Sequence, residues 1–293
     1  MVLDTHTHAW GPPSEEHPWT NGTLIEEFTS EFSTEIIYTN DRLLADMDQA
    51  GIDEAVVVGY PITNWTDNWY TITAAEENER LYGIAMIDQF ADDAADQLHE
   101  LMRYDRILGV RLGAVCPYDE MWGRFDYEVM WLRDAIGEDA FWTAARETDA
   151  LVQLLAHTSQ LGLALELVEA YPDLAYAFDH FAHADAADDP VESYAGFEPL
   201  AEYDRVAVKI SEVAHTSNED YPYEDTYDHL RWLLDTFGRE RVIWGSDFPN
   251  VSHPEFGGMK YGETLSWLNE VPFLSKKDRE WLTGRAFRDL VDL

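Results

Sequence analysis

The sequence predicts an α/β fold, a single-domain (β/α)8 TIM barrel over residues 1–293. Eight short apolar segments suit strands, and seven of them follow a helix-like stretch at intervals of roughly 25 to 40 residues, as repeated βα units require. Segments such as EAVVV at 54–58 and RVIW at 241–244 lack polar alternation, which is typical of parallel strands covered on both faces. With 46% hydrophobic residues, a chain of this length can bury the core that a barrel needs.

The elements follow one another in the order expected of a barrel. Strands are predicted, in chain order, at 2–4, 54–58, 81–87, 107–112, 150–155, 174–178, 206–210 and 241–244. Helical stretches are predicted at 42–50, 72–79, 93–104, 139–148, 160–171, 199–203, 227–237 and 275–293. Gly51 and Pro172 end two of these helices, while Ser275 and Asp278 form a carboxylate variant of the capping box. Because no internal repeat or low-complexity linker interrupts the pattern, we expect one domain.

One segment departs from this rhythm, at about residues 10–40 between the first strand and the first helix. It mixes glycine, proline and many acidic residues. In a barrel it would be a long first βα loop at the C-terminal face, where active sites form. A lid over the site and a plain surface excursion are both open at this stage.

The composition is strongly acidic, with 58 Asp and Glu against 19 Lys and Arg, a net charge of −39. The acids are spread along the chain, and the profile resembles that of proteins from salt-in halophiles; an ordinary acidic enzyme is the alternative. We expect neither nucleic acid nor membrane as a partner, because both need a basic face. A small-molecule substrate that carries a carboxylate is expected instead, and the oligomeric state stays open, a homo-oligomer included.

Three features predict a cytoplasmic protein. Cys116 is the only cysteine, so no intrachain disulfide forms. The N-terminal residues lack the basic and apolar regions of a secretory signal. No apolar run approaches the ~20 residues that a membrane span needs.

Two motifs at opposite ends of the chain predict a metal site. His6 and His8 end the first strand, where residues two apart share a face, so both imidazoles can reach one ion. Asp247 ends the eighth strand, which neighbours the first in a closed barrel, and a carboxylate there can complete the site and act as a base. His157 and His180 also end strands, where the alternative is a hydrogen-bonded rim histidine.

The motifs DTHTH at 4–8, DH at His180 and WGSDFP at 244–249 resemble the amidohydrolase superfamily. The resemblance is to the amidohydrolase-related branch, which includes aminocarboxymuconate-semialdehyde and resorcylate decarboxylases and the dicarboxylate and sugar lactonases. It extends to GVR at 109–111, the strand at 208–211 and the closing RAFRDL. It implies a metal bound by His6, His8, Asp247 and a histidine after strand 5, here His157. His180 would then orient or deprotonate the attacking water.

The chain departs from this branch at strand 5. Decarboxylase-like members tend to have the histidine earlier, within a His-Pro context, and some lactonase-like members lack it and need no metal. Here His157 comes two residues later, on the same strand face as Leu155.

Strand 4 offers Arg111 and no lysine that could become a carboxylated bridge between two metals, so we expect one divalent ion, zinc or manganese. Arg111 suits either a carboxylate on the substrate or an ion pair inside the barrel.

These residues lead to three hypotheses of function. The first is a metal-dependent hydrolase that opens a lactone or another cyclic ester or amide, with Asp247 or His180 as general base. The second is a non-oxidative decarboxylase of an aromatic or muconate-like acid on the same scaffold. The third is a non-catalytic barrel used for binding, which the retention of His6, His8 and Asp247 argues against.

Overall fold

The computed structural model describes residues 1–19, 37–60, 63, 66–113, 131–254 and 257–293. Eight parallel strands form one sheet in the order β1 to β8, with helices between them. The strands are β1 (Leu3–Thr7), β2 (Glu54–Val58), β3 (Leu81–Met86), β4 (Ile107–Leu112), β5 (Leu151–Leu154), β6 (Tyr176–Phe178), β7 (Val206–Ile210) and β8 (Val242–Trp244). The predicted (β/α)8 barrel is therefore confirmed, and each predicted strand is present with its ends shifted by at most three residues.

The helices flank the sheet in the same order. They are α1 (Asn40–Ala50), α2 (Trp69–Glu77), α3 (Ala94–Leu101), α4 (Trp131–Ile136), α5 (Asp139–Thr148), α6 (Leu161–Ala170), α7 (Pro190–Ser193), α8 (Phe197–Leu200), α9 (Val213–Thr216), α10 (Tyr227–Phe237), α11 (Tyr261–Glu270), α12 (Lys276–Glu280) and α13 (Ala286–Leu290). All of the predicted helical stretches are found. The helices α4, α7, α9 and α11 were not predicted. None of the described helices is long and apolar enough to cross a membrane.

The prediction of one continuous last helix at 275–293 is wrong. Its start is as expected, because the Ser275 hydroxyl accepts from the backbone N–H of Asp278. A π-helical turn at Trp281–Arg285 then separates α12 from α13. Gly284 adopts φ +149° there, and a Cβ at this position would lie 3.3 Å from the backbone nitrogen of Leu3. The chain breaks its helix so that glycine can pass close beneath the start of β1.

Backbone and side-chain hydrogen bonds join β1 to the end of β8. The backbone N–H of Asp247 donates to the carbonyl of His6 over 2.8 Å. The Thr5 hydroxyl donates to the carbonyl of Trp244 over 2.7 Å, and the Asp4 carboxylate accepts from the N–H of Ser246 over 2.9 Å. The first two residues of the DTHTH motif therefore join the strands that carry the predicted metal ligands.

Part of the predicted loop at 10–40 and all of the region around Cys116 lie outside the described residues. The two described ends of the loop meet, since the N–H of Trp10 donates to the carbonyl of Tyr38 over 2.8 Å. The choice between a lid and a surface excursion stays open.

Candidate active site

His6, His8 and Asp247 meet in a buried cluster at the carboxyl end of the barrel. Each side chain is at most 2% exposed, and one ligand atom of each lies within 4.8 Å of the others. Asp247 Oδ1 is 3.1 Å from His8 Nε2 and 3.4 Å from His6 Nε2. The structure thus brings together the three residues that the two end motifs singled out.

The protons on these histidines point away from Asp247. His8 Nδ1 lies 2.9 Å from the carbonyl of Val58, which can only accept, so Nδ1 carries the proton and Nε2 offers a lone pair. His6 Nδ1 faces Asp179 Oδ1 at 3.4 Å, and its Nε2 has no hydrogen-bond partner. Two imidazole lone pairs therefore converge on the carboxylate of Asp247. Three buried acceptors in contact need a positive charge among them, which fits a divalent metal ion.

Burial shifts the pKa values of this cluster. It lowers the pKa of His8 to about 3 and that of His6 well below its usual range, so both histidines are neutral as ligands must be. Burial, with the charge of Asp179, also raises the pKa of Asp247 to about 7, and the nearby charge of Arg111 offsets only part of this shift. Such a carboxyl is a better proton acceptor near neutral pH than an exposed one.

Three residues that follow strands adopt a left-handed backbone. They are His180 after β6 (φ 52°), Glu212 after β7 (φ 54°) and Asp247 after β8 (φ 60°). None of the three is glycine, and the left-handed conformation is unfavourable in free energy for any residue that has a Cβ atom. These turns bring the three side chains together: ligand atoms of His180, Glu212 and Asp247 lie within 4.8 Å of one another.

His180 is hydrogen-bonded on both ring nitrogens. Arg111 Nη2 lies 3.1 Å from its Nε2, and since a guanidinium can only donate, Nε2 accepts. Nδ1 then carries the proton and faces the Ser211 hydroxyl at 2.9 Å. Burial lowers the pKa of His180, so its ring is neutral. The nitrogen that could accept a proton from water is already taken by Arg111.

Arg111 forms the interior ion pair that was one of its two predicted roles. Its side chain is 5% exposed, and Nε donates to Asp179 Oδ2 over 2.8 Å. Burial raises the pKa of Asp179, but the charges of Arg111 and Lys209, with the hydrogen bond from His6, outweigh it and hold that pKa well below the usual range. Asp179 is therefore an ionised acceptor for His6 Nδ1, and this contact fixes the orientation of the His6 ring.

A buried lysine and a glutamine complete this support, and sequence reasoning missed both. Lys209 on β7 is fully buried, and Nζ donates to Gln153 Oε1 over 2.5 Å and to the carbonyl of Thr5 over 2.9 Å. Because an ammonium only donates, it fixes the orientation of the Gln153 amide, whose Nε2 then donates to Asp179 Oδ2 over 3.0 Å. A lysine and a glutamine within apolar strands were the available signal, since such residues are seldom fully buried without a partner.

The structure does not bring His157 into the cluster. It lies three residues beyond the end of β5, is partly exposed, and its Nδ1 accepts from the N–H of Ser159 over 3.1 Å to cap a short 3₁₀ turn. The inward position on β5 belongs to Gln153 instead. Among the described residues, no group of possible metal ligands includes His157.

A parallel barrel whose carboxyl end gathers buried histidines and a carboxylate is the architecture of a metal-assisted barrel enzyme. The sequence identifies the family to which this barrel belongs. It matches the model of the Amidohydrolase family over residues 3–285, so the chain belongs to that family. The predicted superfamily and the predicted class of enzyme, a hydrolase, are confirmed.

Individual relatives agree with this assignment. The chain is 26% identical to L-fucono-1,5-lactonase from Burkholderia ambifaria over 273 residues, which cover 92% of this chain and 87% of the relative. A candidate 2-pyrone-4,6-dicarboxylic acid hydrolase from Pseudomonas putida has a TM-score of 0.75 at 20% identity, covering 99% and 97% of the two chains. An amidohydrolase from Burkholderia multivorans with bound zinc has a TM-score of 0.76 at 18% identity, covering 100% and 99%. The two structures share the fold with this chain.

Proposed function

We propose that this enzyme hydrolyses a lactone, using one divalent metal ion held by His6, His8 and Asp247, with Asp247 as the general base. The observation that carries the proposal is that the Nε2 atoms of His8 and His6 lie 3.1 and 3.4 Å from the same buried oxygen, Asp247 Oδ1. Both the lactonase and the pyrone hydrolase to which the chain is similar are named for substrates with a cyclic ester. Zinc is the first candidate for the ion because the similar amidohydrolase binds zinc, and manganese is the alternative.

One argument for a single ion comes from another possible ligand group, which contains His6, Asp179 and His180. Asp179 already accepts from Arg111, and Lys209 Nζ lies 3.7 Å from its other oxygen. Two positive charges in contact with this carboxylate oppose a further cation there. No lysine stands on β4 to bridge two ions.

A divalent ion held by His6, His8 and Asp247 would supply Lewis acidity, which acidifies water and polarises the substrate carbonyl. The chain's own residues supply the proton acceptor. Asp247 Oδ2 is buried without a hydrogen-bond partner, whereas the free lone pair of His180 is occupied by Arg111. Water adds its oxygen to the carbonyl carbon and gives its proton to Asp247. The ring C–O bond then breaks, and the departing oxygen takes up a proton to give a hydroxy acid.

No feature of the described residues favours the decarboxylase hypothesis over hydrolysis, and a single substrate panel separates them. Lactones and carboxylated aromatics would be offered to the metal-loaded enzyme, to Asp247→Asn and to the matched control Asp235→Asn, which changes an exposed residue of α10. We expect ring opening, with acid release, by the wild type and the control. In the Asp247→Asn variant kcat should fall about a hundredfold or more, the scale of losing a positioned base. Carbon dioxide release without ring opening would overturn the proposal.

Two further proposals rest on composition alone. The dispersed excess of 58 acids over 19 bases supports adaptation to high salt, and the single cysteine supports a reducing, cytoplasmic location.

A further inference from the structure

Tyr60 packs against one of the proposed metal ligands, although the proposed reaction gives it no part. It lies two residues beyond the end of β2 and is buried. Its ring centroid is 4.9 Å from that of His8, and the ring of Trp10 stacks on it at 4.6 Å with an interplanar angle of 17°. The rings on either side therefore fix the position of the tyrosine beside the site.

The hydroxyl of Tyr60 reaches the segment that follows β8. It donates to Asn250 Oδ1 over 3.2 Å, although the two residues are 190 positions apart in the chain. Burial and the charge of Asp247 raise the pKa of Tyr60, so the hydroxyl keeps its proton and can act as a donor. Since β1 lies between β8 and β2 in the closed barrel, this bond joins the two strands that flank the one carrying His8.

Asn250 connects this hydroxyl to Asp247. It lies three residues beyond Asp247, in a 3₁₀ turn at Asn250–Ser252, and the N–H of Val251 donates to the carbonyl of Asp247 over 3.3 Å. Burial raises the pKa of Asp247, and a hydrogen bond from the Asn250 side chain opposes that shift. Because a carboxylate can only accept, the amide turns its nitrogen towards Asp247 and its oxygen away. The Tyr60 hydroxyl holds the amide in this orientation by donating to its oxygen.

The support of His6 follows the same plan. There Lys209 Nζ donates to Gln153 Oε1 over 2.5 Å, and Gln153 Nε2 donates to Asp179 over 3.0 Å. In both places a fixed donor occupies the oxygen of an amide, and the amide nitrogen donates to a carboxylate. An amide has a donor end and an acceptor end of nearly equal size, so the fixed donor decides which end faces the carboxylate.

We propose that Tyr60 is a positioning residue for the general base, which orients the carboxylate of Asp247 through Asn250 and the ring of His8 by direct contact. The proposal rests on the metal-dependent hydrolysis proposed above, to which it adds two residues. Both contacts act on groups that must converge on one ion. A displacement of about 1 Å in such a group is enough to slow a reaction about a hundredfold.

The variant Tyr60→Phe tests this, because it keeps the ring beside His8 and Trp10 and removes only the hydroxyl. We expect zinc affinity to fall about tenfold, as when a residue that orients a metal ligand is lost. With saturating zinc, kcat for ring opening of L-fucono-1,5-lactone should also fall about tenfold, while KM changes by less than about twofold. Tyr104→Phe, which alters an exposed tyrosine, is the matched control and should change neither quantity.

A double-mutant cycle tests the route through Asn250. Asn250→Ala should lower zinc affinity and kcat at least as much as Tyr60→Phe does. Adding Tyr60→Phe to Asn250→Ala should then cause little further loss, because the hydroxyl has no amide left to orient. Losses that simply add would overturn the route through Asn250.

The remaining outcomes separate this proposal from the reaction on which it rests. Unchanged zinc affinity and kcat in Tyr60→Phe, with only a lower melting temperature of the metal-depleted protein, would overturn it, since the hydroxyl would then serve stability alone. A rise in KM with unchanged kcat would overturn it too, because the hydroxyl would then bind substrate. If the wild type binds zinc but opens no lactone, the proposed function fails, and the zinc affinities of the variants still decide the role of Tyr60.

Discussion

The buried ammonium of Lys209 gives the sharpest prediction about the support beneath the site. Replacing Lys209 with methionine keeps much of the side-chain volume and removes the charge and every donor. Gln153 Oε1 and the carbonyl of Thr5, now 2.5 and 2.9 Å from Nζ, would lose that donor inside the barrel. A buried acceptor without a partner costs about 1–3 kcal/mol, so the two together cost about 2–6 kcal/mol.

Two other effects adjust this figure. Asp179 loses a positive charge 3.7 Å away, which destabilises the variant further. Burial lowers the pKa of Lys209 to about 8, which shows that the ammonium itself is costly to bury, and its removal returns part of that free energy. We therefore expect the free energy of unfolding to fall by about 3 kcal/mol.

Urea titration followed by tryptophan fluorescence, at one fixed salt concentration, measures the change. Lys277→Met is the matched control, because Lys277 is exposed on α12 and its replacement should alter stability by less than about 0.5 kcal/mol. The freed Gln153 amide no longer has a fixed orientation, so zinc affinity should also fall about tenfold or more. A loss of stability below about 1 kcal/mol together with unchanged zinc affinity would refute the reasoning.

Three further predictions concern the pH dependence of stability, its salt dependence, and the role of His157 in metal binding. Burial lowers the pKa of His183 to about 3, so the unfolded chain is protonated at this residue at a higher pH than the folded protein. The free energy of unfolding therefore falls as pH drops from about 6.5 towards 3. In urea titrations at about pH 7 and pH 4.5, His183→Gln should lose less stability than the wild type, and equal losses would contradict this. With a net charge of −39, the melting temperature should rise from dilute buffer to molar potassium chloride, and a flat or falling curve would count against the halophile proposal. Finally, His157→Ala should keep zinc affinity within about threefold in a zinc titration, whereas His8→Ala should lose at least about a hundredfold; equal losses would restore His157 as a ligand.

The fold could be predicted well because its signals are local. Short apolar runs without alternation recur after helical stretches, and a parallel barrel buries such strands on both faces. The break before α13 could not be predicted, because it depends on how closely Gly284 approaches Leu3, a contact between the two ends of the chain. Helix capping at Ser275 was predictable, since the cap and its partner are three residues apart.

The sequence likewise predicts some residues of the site and not others. His6, His8 and Asp247 stand in recognisable motifs at strand ends, and the structure brings them together. Their support could not be predicted, because Gln153 and Lys209 are 56 residues apart and meet only through the curvature of the barrel. His157 looked equivalent to a ligand in sequence, but β5 ends at Leu154 and the following turn uses the imidazole as a cap.

The left-handed backbone of Glu212 is the least predictable feature of the site. Glycine, asparagine and aspartate are the residue types that signal this conformation, and glutamate is not among them. Only the packing of β7 against the turn that follows it places the carboxylate beside Asp247. Specificity in barrels depends on such positions after the strands, which explains why the sequence predicted the class of reaction better than the substrate.

The central claim is that one divalent ion at His6, His8 and Asp247 is required for lactone hydrolysis. The most direct test is a zinc titration of the metal-depleted protein, with ring opening of L-fucono-1,5-lactone measured at each addition. The predicted result is activity that is absent without zinc, rises linearly and stops at about one equivalent per chain. Full activity in the metal-depleted protein, or a break at about two equivalents, would contradict the claim.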